Sequence, residues 1–317
     1  MAPANRKDPQ RSTASESQYS LFEFMREFPD DDACLNWLWQ TRLSPDGNHA
    51  TCPKCEVERH FVRYGNIAQP RQSWTCTACG HHLHPTAGTI FHKSSTSLHL
   101  WFYGIYLMTS TRCGISAKQL ERELGVTYKT AWRMFKLIRT LMAEDTGPLS
   151  GAVEMDETFL NRSKRHRPGE PRPKQAAARK GERAIWGAVE RGGRVVAKHI
   201  YTASGVTIDP LVTEFVMPAS TVFTDEARHY RGLRKRGYQH RRINHTAKVY
   251  VKGDVHTQTI EGFWSLFKRG VSGVYHSVGR DYLQSYLNEF TWRYNHREDE
   301  RAMFDTLVRK AAASAPS

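Results

Sequence analysis

A chain of 317 residues with 39% hydrophobic and 11% aromatic side chains carries enough apolar material for two or three packed domains, which excludes a wholly disordered protein. Its net charge of +14 argues against a generic metabolic enzyme and for a polyanionic partner, nucleic acid or an anionic membrane surface. No stretch approaches the ~18 consecutive apolar residues of a membrane span, and residues 1–18 offer no apolar run for secretion, so the expectation is a soluble protein of a reducing compartment whose six cysteines are metal ligands or core residues.

Residues 1–18 are polar and read as a disordered tail. Residues 19–43 turn apolar, with Trp37 and Trp39, and suggest short helices. Two C-x2-C knuckles follow, Cys52-Pro53-Lys54-Cys55 and Cys76-Thr77-Ala78-Cys79. Four soft thiolates at that spacing suit one tetrahedral Zn²⁺, and a shell closed by four cysteines leaves no open position, so the ion's task is folding. Gly80, Phe61, Tyr64 and Trp74 fit a small β-ribbon too poor in core to fold without it; His81, His82 and His84 are alternative ligands, while Cys34 and Cys113 stand apart as buried thiols. Zinc is thereby indicated, but not a function, because ribbons bind DNA, RNA and proteins alike.

A helical block covers 97–142. Ser116 to Gln119 has the capping-box pattern, Ala117, Leu120 and Leu124 keep one face, Gly125-Val126 turns, and Thr127 can cap a second helix with Ala131, Phe135, Ile138 and Met142 inside. Tyr128, Lys129, Arg133, Lys136 and Arg139 then form a basic outer face, as a helix-turn-helix reading a major groove requires. An ordinary helical hairpin with solvated charges is the plainer alternative.

After the break at Gly147-Pro148 the texture becomes β-rich, with strand-like runs at 152–160, 184–190, 194–201 and 221–225. Asp156 lies in the first run and Asp225 ends the last. Glu261 opens a helical pattern whose apolar stripe is Ile260, Phe263, Trp264, Phe267 and Val271, and Lys268 follows it by two turns, on the same edge of that stripe. Three carboxylates and an ammonium fit metal-assisted phosphoryl transfer. Two Mg²⁺ (or Mn²⁺) ions, ~3.5–4 Å apart in such sites, need hard oxygen ligands on either side of a scissile phosphorus. Glu154, Glu157 and Glu226 read as supporting or solvated carboxylates. The segments 162–183 and 228–252 are rich in Lys and Arg and suit phosphate contacts. In the closing helix Leu283, Tyr286, Leu287, Phe290 and Tyr294 form a core stripe, with Arg293 and Arg297 as DNA contacts at its edge, and the Ala/Ser segment after Lys310 looks frayed.

Taken together, the cysteine knuckles, Met155-Asp156-Glu157-Thr158, Phe223-Thr224-Asp225, the run from His256 through Glu261 to Lys268-Arg269, and Arg293-Tyr294-Asn295-His296-Arg297 resemble a DDE-type transposase of a bacterial insertion sequence, of the zinc-ribbon and RNase H-like group related to Merlin elements. The resemblance spans about residues 20–300. It implies a multidomain α+β chain: a tail (1–18), a zinc-ribbon domain (19–95), a helix-turn-helix segment (96–146), an RNase H-like α/β catalytic domain (147–300) and a C-terminal tail (301–317). It further implies Asp156 on a central first strand, Asp225 at the end of the fourth, Glu261 on the next helix (with Asp254 as a substitute), and Lys268 and Arg269 at the DNA. The expected partners are the element's terminal inverted repeats and target DNA, with a homo-oligomer pairing two ends, in the bacterial cytoplasm at the nucleoid and away from membranes. Two rivals stand beside this reading: a zinc-ribbon DNA-binding regulator without catalysis, and an RNase H-like nuclease or resolvase that cuts without joining.

Overall fold

The computed structural model describes residues 19–66, 69–145, 147–160, 183–225, 227–242, 256–299 and 302–313. The tail at 1–18, most of the basic segment 162–183, the part of the second basic segment from 243 on, Glu226 and Asp254 lie outside them. The chain divides into two compact units, Met1–Leu141 with Arg297–Ser317, and Met142–His296.

The first unit begins with α1 (Leu21–Glu27) and α2 (Asp31–Arg42), each opened by a side-chain cap, Ser20 and Asp30. The ribbon follows as an antiparallel sheet, β1 (His49–Cys52), β2 (Val57–Asn66), β3 (Gln69–Cys76) and β4 (His82–Leu83), in sequential order. Its small core is borrowed from outside. Trp39 of α2 stacks flat on Trp74 at 4.6 Å and packs on Phe61 at 5.8 Å. Next come α3 (Leu98–Ser110), α4 (Ala117–Leu124) and α5 (Tyr128–Leu141). Ser116 caps α4 through the Gln119 amide, and Gly125, at φ +62°, supplies the left-handed residue that ends it. Thr127 then accepts from the Thr130 amide at the head of α5. The inward residues expected on both helices are buried.

The C-terminal tail expected at 301–317 instead contains α9 (Met303–Ala313), with Met303, Phe304, Leu307, Val308 and Ala311 buried, and the helix runs through the first three residues of the part after Lys310 expected to fray. Phe304 sits among Tyr19, Phe24, Phe28 and Tyr106, at 4.9–6.1 Å between ring centres. Its alanines and terminal polar residues masked an amphipathic i, i+4 stripe whose partner lies near the other end of the chain.

The second unit is built on a five-stranded sheet of β5 (Ala152–Leu160), β6 (Arg183–Glu190), β7 (Val195–Ile200), β8 (Thr221–Thr224) and β9 (Gln239–Arg242), in the order β7-β6-β5-β8-β9. β5, β6 and β7 form an antiparallel meander, while β8 and β9 add in parallel on the far side of β5. Strict period-2 alternation sends Val153 and Met155 to one face, with Trp186 and Ala188 beside them, where α6 (Gly205–Phe215) packs through Ile208 and Val212. The other face takes α7 (Gln258–Gly270). The edge strand β7 is sealed by α8 (Leu283–Asn295): Asn295 bonds both backbone groups of Val195, and Gln284 bonds His199 N and Ala197 O.

Candidate active site

The site grows from the central position of β5. Asp156 pairs in register with Gly187 of β6. On the other side, Glu154 pairs with Phe223 of β8, so continuing that parallel register by two residues brings Asp225, just past the strand end, level with Asp156. Adjacent strands run ~4.8 Å apart, which makes these two aspartates lateral neighbours. Asp225 is fixed locally, one carboxylate oxygen accepting from the Ala227 amide at 2.9 Å.

The third carboxylate arrives on α7. Ile260, Phe263, Trp264 and Phe267 are buried, and the same stripe leaves Glu261 and Lys268 exposed. Gly187 decides how closely this helix approaches. A Cβ there would lie 2.5 Å from the Trp264 ring, so only a glycine admits the indole at the level of Asp156. An open cleft of about 570 Å³ results, lined by Asp156, Glu157, Thr158, Glu261, Trp264, Ser265, Lys268, Arg269 and Ser272. One oxygen of Glu261 accepts from the Thr257 hydroxyl at 2.9 Å.

The charges of the neighbouring acids act on Asp156. Burial, followed by the charges of Glu157, Asp225 and Glu261, pushes the Asp156 carboxyl up to about 7. Glu157 is itself held by the Tyr230 hydroxyl and lies 3.1 Å from His229 Nε2. Burial works to lower that histidine, but the Glu157 hydrogen bond and charge prevail and raise it. The all-oxygen donor set, crowded until its members repel, is what hard divalent cations would relieve. Among the described residues the ligand atoms of Asp156, Asp225 and Glu261 are not all within 4.8 Å of one another.

The four thiols of the ribbon are. The Sγ atoms of Cys52, Cys55, Cys76 and Cys79 all lie within 4.8 Å of one another, with Cys52 and Cys79 at 3.5 Å. Zn–S bonds of ~2.3 Å in a tetrahedron place sulfurs about 3.8 Å apart, so the cage fits zinc. Burial acts to raise the Cys52 thiol, yet the amides of Cys55 and Lys54 and the neighbouring thiols draw it down to about 7, while burial and those same thiols hold Cys79 up against the His81 amide. The histidines offered as substitutes form no such cluster among the described residues.

Residues 148–295 match the model of the ISXO2-like transposase domain. An uncharacterized protein in transposable element ISH50 of Halobacterium salinarum is 28% identical over 281 residues, which cover 85% of this chain and 92% of that protein. An uncharacterized transposase-like protein of Haemophilus influenzae is 31% identical over 104 residues, 33% of this chain and 80% of the relative. The chain belongs to the insertion-sequence transposases.

On the transposase's basic helix α5, Lys129, Arg133 and Lys136 are exposed together with Tyr128. Arg139, expected beside them, is not. It is 2% exposed and stacks on Phe135 at 3.6 Å, because α5 turns it one position past the exposed edge. Arg293, read as a DNA contact, is likewise buried and pairs with the buried Glu289 at 2.5 Å, where Tyr275 also donates. Glu154, read as supporting or solvated, is fully enclosed. Gly187, Arg191, His229 and Tyr230 escaped notice in the sequence, since each acts through a neighbour distant along the chain. Among the described residues no helix is long and apolar enough to cross a membrane.

Proposed function

We propose that this transposase binds the terminal inverted repeats of its insertion sequence and carries out metal-dependent DNA cleavage and strand transfer at the cleft of Asp156, Asp225 and Glu261. The observation that carries this is the state of Asp156: a half-buried carboxyl on the central strand, raised by its partial burial and by three neighbouring acids, with an ammonium and a guanidinium on the same cleft wall. The strand order, an antiparallel meander extended by two parallel strands with the first strand central, supports an RNase H-like reading of the domain.

In this reading Asp156, Asp225 and Glu261 would hold two Mg²⁺ or Mn²⁺ ions. Those ions would activate the attacking oxygen and offset charge on the leaving one. Lys268 Nζ and the Arg269 guanidinium contact phosphates beside the scissile bond, and Thr257 fixes the orientation of Glu261. The wide mouth of the cleft suits a duplex end rather than a small molecule. Lys129, Arg133 and Lys136 contact the repeat, and the zinc-held ribbon adds to that grip. Synapsis of two ends calls for at least a dimer on DNA, in the cytoplasm at the nucleoid. Incubating the protein with Mg²⁺, a labelled repeat end and plasmid tests the whole. Joined product is expected; cut but unjoined DNA would favour a nuclease, and a shifted but intact duplex a regulator.

A further inference from the structure

Glu154 is two residues before Asp156 on the same face of β5, and its side chain is wholly enclosed. An enclosed carboxylate survives only with its lone pairs filled, and here they are. Oε1 accepts from Arg191 Nε at 2.7 Å and from the Thr259 hydroxyl at 3.0 Å, and Oε2 from the amides of Thr259 at 2.8 Å and Ile260 at 3.1 Å. Arg191 reaches onward to the His256 carbonyl at 2.8 Å and lies over the Phe223 ring at 4.0 Å.

Those two amides are orphan donors in the first turn of α7, which a helix's own N-cap residue ordinarily satisfies. Thr257 occupies that position but makes no cap bond; its hydroxyl goes to Glu261 instead. The strand supplies the missing cap, and the local residue is released to orient a carboxylate of the cleft. Oε1 also lies 3.1 Å from His256 Nδ1, so both oxygens are committed to protein neighbours and none is left for a cation.

We propose that Glu154, clamped by Arg191, is a positioning residue that caps α7 from the central strand and thereby sets Glu261 against Asp156. The proposal rests on the reading that these two acids share a metal site. Anchoring the second and third helical amides fixes both the height and the rotation of the turn that carries Glu261, only 1.5 Å of rise further on. Because Glu154 and Asp156 share one strand, the helix and the first aspartate are referred to the same rigid element.

Mn²⁺ binding followed by electron paramagnetic resonance, with the ribbon zinc retained and no DNA present, tests this directly. Glu154→Gln should weaken Mn²⁺ binding by about 10-fold, the lower end of what loss of a residue supporting a metal ligand costs, while repeat-end affinity is unchanged. Should Glu154→Gln fail to fold, Thr259→Val removes one clamp bond at constant volume. It should weaken binding ~3-fold, and Thr259→Ser, which keeps the hydroxyl, should restore it. Wild-type Mn²⁺ affinity in folded Glu154→Gln, or in Thr259→Val, overturns the proposal. Mn²⁺ binding untouched by Asp156→Asn would be a different result, overturning the reading of the cleft and this proposal with it.

Discussion

Removing the charge of Asp156 should make the magnesium-free transposase more stable while destroying its activity. The carboxyl is raised from 3.8 to about 7 by burial and by Glu157, Asp225 and Glu261. At low pH it is protonated in both folded and unfolded chains and contributes nothing. As pH rises from 3.8 towards about 7 the unfolded chain releases a proton that the folded one retains, so stability falls, and above about 7 the full cost is present. A gap of about three pH units at ~1.36 kcal/mol each sets a ceiling of ~4 kcal/mol. Relaxation around a partly accessible site brings that to ~2–3 kcal/mol, and a domain of this size gains ~2–4 °C in Tm per kcal/mol. Thermal melts of wild type and Asp156→Asn in magnesium-free buffer, with the ribbon zinc left in place, should differ by roughly 5–10 °C at about pH 8. The gap should narrow towards pH 5, and millimolar Mg²⁺ should raise the wild type alone. A variant no more stable than wild type at the higher pH, or a gap indifferent to pH, would refute the reasoning.

Gly187→Ala drives a methyl into the Trp264 ring; a loss of about 1–3 kcal/mol in chemical denaturation is expected, together with reduced strand cleavage and unchanged repeat binding. Cys52→Ser or Cys76→Ser should abolish bound zinc, measured by elemental analysis, and release the Trp39–Trp74 stack, seen as lost near-UV dichroism. Single alanines at Lys129, Arg133 and Lys136 should each lower the salt slope of repeat-end binding by about 1. Arg139→Ala should leave that slope intact and lower the melting temperature instead, since its guanidinium packs on Phe135.

What could be seen in the sequence was whatever repeats locally. The apolar stripe of α7 placed Glu261 and Lys268 on one exposed edge, and the cleft holds them there. The C-x2-C spacing carried its own geometry, and the thiols converge. Strand runs placed Asp156 within β5 and Asp225 as the last residue of a run that β8 leaves one residue earlier. Pairing across the fold was illegible. Nothing near Gly187 announces a tryptophan 77 residues later, and nothing near Glu154 announces the helix it caps from 105 residues away. A charge flanked by Val153 and Met155, in a strand whose two faces are covered by α6 and α7, was the available hint. Arg139 and Arg293 failed for a related reason: a basic residue at the edge of a helical stripe is assigned to solvent by its chemistry, whereas its long apolar stem lets it lie along buried rings.

The central claim is that three acids distant in sequence hold divalent cations at one cleft, and a change of ligand atom tests it most directly. Replacing Asp156 or Asp225 with cysteine swaps a hard oxygen for a soft sulfur. Strand transfer of a labelled repeat end by Asp156→Cys and by Asp225→Cys should vanish in Mg²⁺ and return in Mn²⁺, while Asp209→Cys, at an exposed ion pair with Arg236, stays active in both. Full activity of either cleft variant in Mg²⁺, or the same residual activity in both metals, would contradict the account.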